Sequence, residues 1–121
     1  MITEYRHTGL VVNNIKKSYK FYCKFLDLKV IQDFIEEGDY FNQLIGEKKL
    51  KAKVIKAISP DYIYLELIEF INSKREKIKK PKKYTDVGQL HICFTVKNIF
   101  SVYKKLKRNK VKFISAPLAS D

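Results

Sequence analysis

His7-Thr-Gly-Leu-Val-Val-Asn-Asn-Ile-Lys-Lys-Ser-Tyr-Lys-Phe-Tyr22 and His91-Ile-Cys-Phe-Thr-Val-Lys-Asn-Ile-Phe-Ser-Val-Tyr-Lys-Lys-Leu106 are the stretches that decide the fold. Offset by 84 residues, they agree at six of sixteen positions: His7/His91, Val12/Val96, Asn14/Asn98, Ile15/Ile99, Tyr19/Tyr103 and Lys20/Lys104. Each reads as a short β-branched strand, an asparagine able to cap a helix by accepting from its free first-turn amides, and then a helix. In the first copy Ile15, Tyr19, Tyr22 and Leu26 recur at spacings of four, three and four, which makes one apolar helical face. Lys16, Lys17, Lys20 and Lys24 take the other. Recurrence of strand, cap and helix in register, with histidine at the head of both strands, marks a duplicated supersecondary unit.

Working outward, residues 5–12 form the first strand and the helix ends near Asp27. Leu28–Ile35 reads as a strand, and 38–47, punctuated by Gly38 and Gly46, as a loop or short helix. Lys51–Ile58, with Lys51, Lys53 and Lys56 set against Ala52 and Val54, reads as a half-exposed strand. Ser59-Pro60-Asp61 is a turn, and Tyr62–Phe70 is an aromatic-rich strand carrying Glu66 and Glu69. The second copy supplies a strand through His91–Val96, a helix from Ile99 to about Arg108 and a strand over Val111–Ser115. The expected fold is therefore α+β, built of duplicated βαβββ modules, the second truncated after its helix and one strand. We expect a single domain over 1–121, with module one at about 5–70, a basic linker at 71–87 and the incomplete module two at 88–121.

The chain has 121 residues, 45% of them apolar, including eight Tyr and eight Phe, so it can fill one core. No apolar run approaches the roughly 20 residues that cross a bilayer, and the N-terminus lacks the layout of a secretion signal, so a cytoplasmic protein is expected. Cys23 and Cys93 form no ligand spacing and read as reduced core hydrophobes. The net charge of +12 favours anionic partners in general. Its densest run, Ser73–Lys83, holds one Arg and no aromatic, so we read it as a solvated linker rather than a nucleic-acid contact.

Strand alternation puts His7, Gly9 and Val11 on one face, with His91, Cys93 and Thr95 as their equivalents. Tyr62, Tyr64, Glu66 and Ile68 share a face of their strand, and Glu69 lies opposite unless a bulge shifts the register. If both histidine faces look into one cleft, His7, His91 and Glu66 make a donor set suited to a divalent ion: Zn, Ni, Co, Mn or Fe. Glu66 in an apolar strand calls for a cation, because a buried unpaired carboxylate is costly. Tyr62 and Tyr64 read as core or edge aromatics, with the lining of a substrate pocket as the alternative.

The signature His7-x-Gly-x-x-Val-x-Asn-Ile-x-x-Ser-x-x-Phe-Tyr22, with Tyr64-Leu-Glu-Leu-Ile-Glu-Phe70 and Gly88-Gln-Leu-His-Ile-Cys-Phe-Thr-Val96, resembles the vicinal oxygen chelate superfamily. That group includes glyoxalase I, methylmalonyl-CoA epimerase, extradiol dioxygenases and the fosfomycin and bleomycin resistance proteins. The resemblance implies metal ligands at His7, Glu66 and His91, with Glu66 also in a catalytic role. The fourth family ligand would fall near position 150, beyond the last residue. The implied function is a metal-dependent lyase or isomerase of the glyoxalase or epimerase type, acting through an enediolate or enolate of a small hydroxy-carbonyl or acyl-thioester substrate. The alternative is a non-catalytic, resistance-type small-molecule binder of the same fold. A homodimer is the implied assembly, with no membrane or nucleic-acid partner.

Overall fold

In a computed structural model, residues 1–73 and 83–119 are described, so most of the basic run lies outside the described residues. The chain divides into two compact units, Met1–Arg75 and Glu76–Asp121.

The first unit is a four-stranded sheet with helices. Its elements are β1 (His7–Val11), α1 (Ile15–Tyr19), a π-helical turn (Lys20–Phe25), β2 (Lys29–Glu37), α2 (Asp39–Ile45), β3 (Lys51–Ile58) and β4 (Tyr64–Phe70). The strand order is β1-β4-β3-β2. β1 lies parallel to β4, the other pairs are antiparallel, and α1 with the π turn carries the chain from β1 to β2 at the opposite edge. The boundaries of β3 are those read from its alternation, and 38–47 resolves into a helix. Gly46 ends that helix in the left-handed conformation at φ 79°, a C-cap that glycine adopts without a Cβ clash.

The two sheet faces bury different clusters. On one, Leu65, Leu67, Ile55 and Ala57 pack with Ile15 and Leu28, joined by Leu10, Tyr19, Tyr22 and Cys23. On the other, Ala52 and Val54 pack with Phe41 and Leu50, joined by Phe34, Ile68 and Phe70. Leu67, central in the sheet, is fully buried. The helical face differs from expectation in its last residue. Leu26 N–H bonds Phe21 O five residues back, and this wider turn brings Cys23 with Tyr22 against the core instead of Leu26. Burial pushes the Tyr22 hydroxyl and the Cys23 thiol above their ordinary pKa values, and Lys24 pulls the thiol partly back.

Glu69, on the helix side of β4, accepts from the Ile15 backbone N–H at 3.0 Å. It sits where α1 has free amides, so a carboxylate there is electrostatically favoured. The first unit's one register shift falls between Val30 and Gln32 of β2, leaving Ile31 as the extra residue, whereas β4 pairs in unbroken register with both neighbours.

In the second unit, α3 (Ile99–Arg108) matches its expected span. Asn98 caps it by accepting from Ser101 N–H at 3.0 Å, as Asn14 caps α1 from Lys17 N–H at 3.0 Å. The two caps share backbone geometry, φ −141° and −144°. The repeat is thus reproduced at the level of a hydrogen bond. The Tyr103 ring meets Phe113 edge-on at 4.7 Å, and Leu106 is buried. The segments 91–96 and 111–115, expected as strands, join no ladder among the described residues. A strand exists by pairing, and the described residues of this unit offer these two segments no β partner. Cys93 is exposed rather than a core residue for the same reason: no sheet face covers it.

Leu67→Ala will lower the stability of the first unit by about 2–5 kcal/mol, read from urea unfolding, because a fully buried leucine leaves a cavity. Thiol alkylation followed by mass mapping will label Cys93 before Cys23. Burial limits access to Cys23 and, with its pKa raised, lowers its reactive thiolate fraction at neutral pH.

Candidate metal-binding site

Cross-strand register builds the site. Gly9 of β1 stands opposite Glu66 of β4, Glu66 opposite Lys56 of β3, and Lys56 opposite Gln32 of β2. These four positions form one row across the sheet, on the face away from α1. The next row on the same face is apolar: Val11, Ile68, Val54 and Phe34.

His7 lies one row along, opposite Tyr64, and reaches diagonally to Glu66: Nε2 is 3.6 Å from Oε2. Gly9, directly opposite Glu66, puts no side chain in the way. Glu66's other oxygen, Oε1, is 3.1 Å from Lys56 Nζ, and the same ammonium lies 5.5 Å from the centroid of the Phe34 ring. The Glu66 side chain is only 15% exposed, and His7 is about half exposed. The carboxylate is therefore divided, one oxygen toward an imidazole and the other toward an ammonium.

These side chains face a cavity of about 310 Å³, whose lining includes His7, Glu66, Lys56, Tyr64, Gln32 and Arg6. Ile31, the bulge residue of β2, also borders it, since an extra residue in a strand re-aims its neighbours. Tyr64 thus lines the cavity, while Tyr62 is exposed at φ 65° outside the strand. Of the two β4 acids Glu66 is on the cavity face, where Glu4 also lines the wall, and Glu69 is on the opposite face as the partner of the α1 amide.

His91 belongs to the second unit, where its exposed ring lies 6.4 Å from that of Tyr84. Among the described residues, no group of three or more His, Cys, Asp or Glu forms a metal-holding cluster. The chemistry of the His7–Glu66 pair nevertheless suits an ion. Ligand atoms about 2.0–2.2 Å from one centre lie roughly 3–3.5 Å apart, close to the observed separation. The imidazole nitrogen and the Glu66 oxygen stand together at the edge of a polar cavity, and both are donors for a borderline divalent ion.

Lys56 is the residue that sequence reading missed. It was grouped with Lys51 and Lys53 as the solvent side of β3, yet its register places it with Ala52 and Val54. The adjacent apolar pair Val54-Ile55 breaks the Lys alternation and carries that signal.

The model of the glyoxalase/bleomycin resistance protein/dioxygenase superfamily matches residues 5–118. The crystal structure of a glyoxalase family protein from Bacillus cereus is similar at TM-score 0.91 and 16% identity, covering 100% of this chain and 81% of that one. The fosfomycin resistance protein FosX of Listeria monocytogenes, complexed with Mn(II) and sulfate, is similar at TM-score 0.55 and 16% identity, covering 93% of this chain and 75% of that one. The same protein at pH 5.75 gives TM-score 0.53 and 18% identity, covering 93% and 74%. Comparison with curated proteins finds no match. At these identities the structural likenesses establish the fold, and a fold hosts many chemistries. With the duplicated strand–cap–helix unit and the mixed sheet, the match over 5–118 settles the family: the chain belongs to the glyoxalase/bleomycin resistance protein/dioxygenase superfamily.

Proposed function

We propose that this chain is a divalent-metal-dependent lyase or isomerase of the glyoxalase or epimerase type. Its substrate is a small hydroxy-carbonyl or acyl-thioester compound. The observation that carries the reading is His7 Nε2 facing Glu66 Oε2 at 3.6 Å on the wall of a polar cavity. His7 and Glu66 hold the ion, and His91, equivalent to His7 in the repeat, is the third ligand. The FosX structure with Mn(II) supports a divalent ion on this scaffold without fixing which of Zn, Ni, Co, Mn or Fe serves here.

A bound ion supplies a Lewis acid that stabilises negative charge developing on a substrate oxygen as a neighbouring C–H proton leaves. The chain's own residues do the rest. Glu66 also lines the cavity as the carboxylate positioned to take the proton of a carbon acid held there. The Tyr64 hydroxyl and the Gln32 amide hydrogen-bond and orient substrate oxygens. The mostly buried setting of Glu66 limits water near that exchange.

A second reading is a non-catalytic, resistance-type binder of the same fold. Lys56 favours it, because the ammonium already neutralises Glu66. In either reading we take the working form to be a cytoplasmic homodimer over one glyoxalase-like domain, with modules at about 5–70 and 88–121 around the linker 71–87. Among the described residues no helix is long and apolar enough to cross a membrane.

Metal analysis of the purified protein separates the two readings. The enzyme reading expects about one Mn, Ni, Co, Zn or Fe per chain, lost in both His7→Ala and His91→Ala. Retention of metal by both variants, or no uptake after incubation with each ion in turn, contradicts it. Glu69→Gln will keep its metal but lose about 1 kcal/mol of stability in urea unfolding, because that acid serves the α1 amide and not the cavity.

A further inference from the structure

The sheet pairs Glu66 with a cation that lies outside the sequence motifs quoted above. Lys56 sits directly opposite it on β3, and its ammonium is 3.1 Å from Oε1. The ammonium also lies 5.5 Å from the centre of the Phe34 ring, and the side chain is about two-thirds covered. Two separate contacts therefore fix one lysine head: a carboxylate oxygen in front and an aromatic ring behind. The carboxylate is left with Oε2 alone toward His7.

We propose that Lys56 is the resident counter-ion of Glu66: it holds Oε1, makes Glu66 a one-oxygen ligand through Oε2, and opposes the incoming metal charge. The proposal rests on the metal reading above. Two consequences follow from electrostatics. Without metal, Glu66 needs a cation to stay at its mostly buried position, and Lys56 is that cation. With metal, a unit positive charge bound to the far oxygen of the same carboxylate repels the dication, so affinity is held below what the donors alone would give. Lys56 acts through Glu66 and is a positioning residue. Because its head is partly open to water, the Coulomb effect is screened to roughly a tenfold change in affinity.

The test measures Mn(II) binding to the full chain by EPR of the free ion for wild type, Lys56→Met, Lys56→Gln and Lys56→Arg. The expected result is tighter binding in Lys56→Met and Lys56→Gln, by roughly tenfold, with Lys56→Arg near wild type. General damage to the site would move affinity the other way. A second measurement needs no metal. Urea unfolding of wild type, Lys56→Met, Glu66→Gln and the double variant should show roughly three- to tenfold coupling in the unfolding constant. Equal or weaker Mn(II) binding in both neutral variants overturns the proposal while leaving the metal reading intact. Additive effects in the unfolding cycle overturn it too. Mn(II) bound by no protein in the series, with Zn, Ni, Co and Fe also failing to bind, contradicts the metal reading itself and removes the proposal with it.

Discussion

A carboxylate 15% exposed in the middle of a four-stranded sheet must be matched by positive charge, or it disrupts the sheet that holds it. Glu66 is that group, and much of the first unit is arranged around it. Gly9 beside it keeps one flank open, so His7 reaches in from β1. Lys56 closes the other flank from β3. The row Gly9–Glu66–Lys56–Gln32 spans all four strands, so the register of every pair in the sheet fixes the position of this carboxylate. A slip by one residue would turn Glu66 into the leucine-rich layer beneath α1.

Two acids three residues apart on one strand have opposite assignments for this reason. Glu66 faces the cavity, and Glu69 faces α1, where it accepts from Ile15 N–H. Odd sequence spacing on a strand separates faces, so one holds the start of α1 while the other faces the cavity. The bulge that could have reversed this parity lies in β2 at Ile31, two strands from β4, where Ile31 lines the cavity.

Much of this was legible in the sequence because it is local or periodic. The offset of 84 residues predicts matching caps, and Asn14 and Asn98 do form the same bond to the third amide onward. The spans of β3 and α3 follow from alternation and helical spacing. What escaped depends on non-local pairing. The bulge at Ile31 and the contact of Lys56 with Glu66 are set by which strand lies beside which. No local propensity encodes that neighbourhood. The segments 91–96 and 111–115 carry strand-like sequences without a β partner among the described residues of their unit, and propensity alone does not make a sheet.

The central claim is that His7 and Glu66 are two ligands of one ion and that Glu66 contributes a single oxygen. The most direct measurement is a crystal structure grown with Mn(II), with anomalous differences collected to locate the ion. The result expected is one peak bonded to His7 Nε2 and Glu66 Oε2, with Lys56 still on Oε1. A peak remote from His7, or one chelated by both Glu66 oxygens with Lys56 turned away, would contradict it.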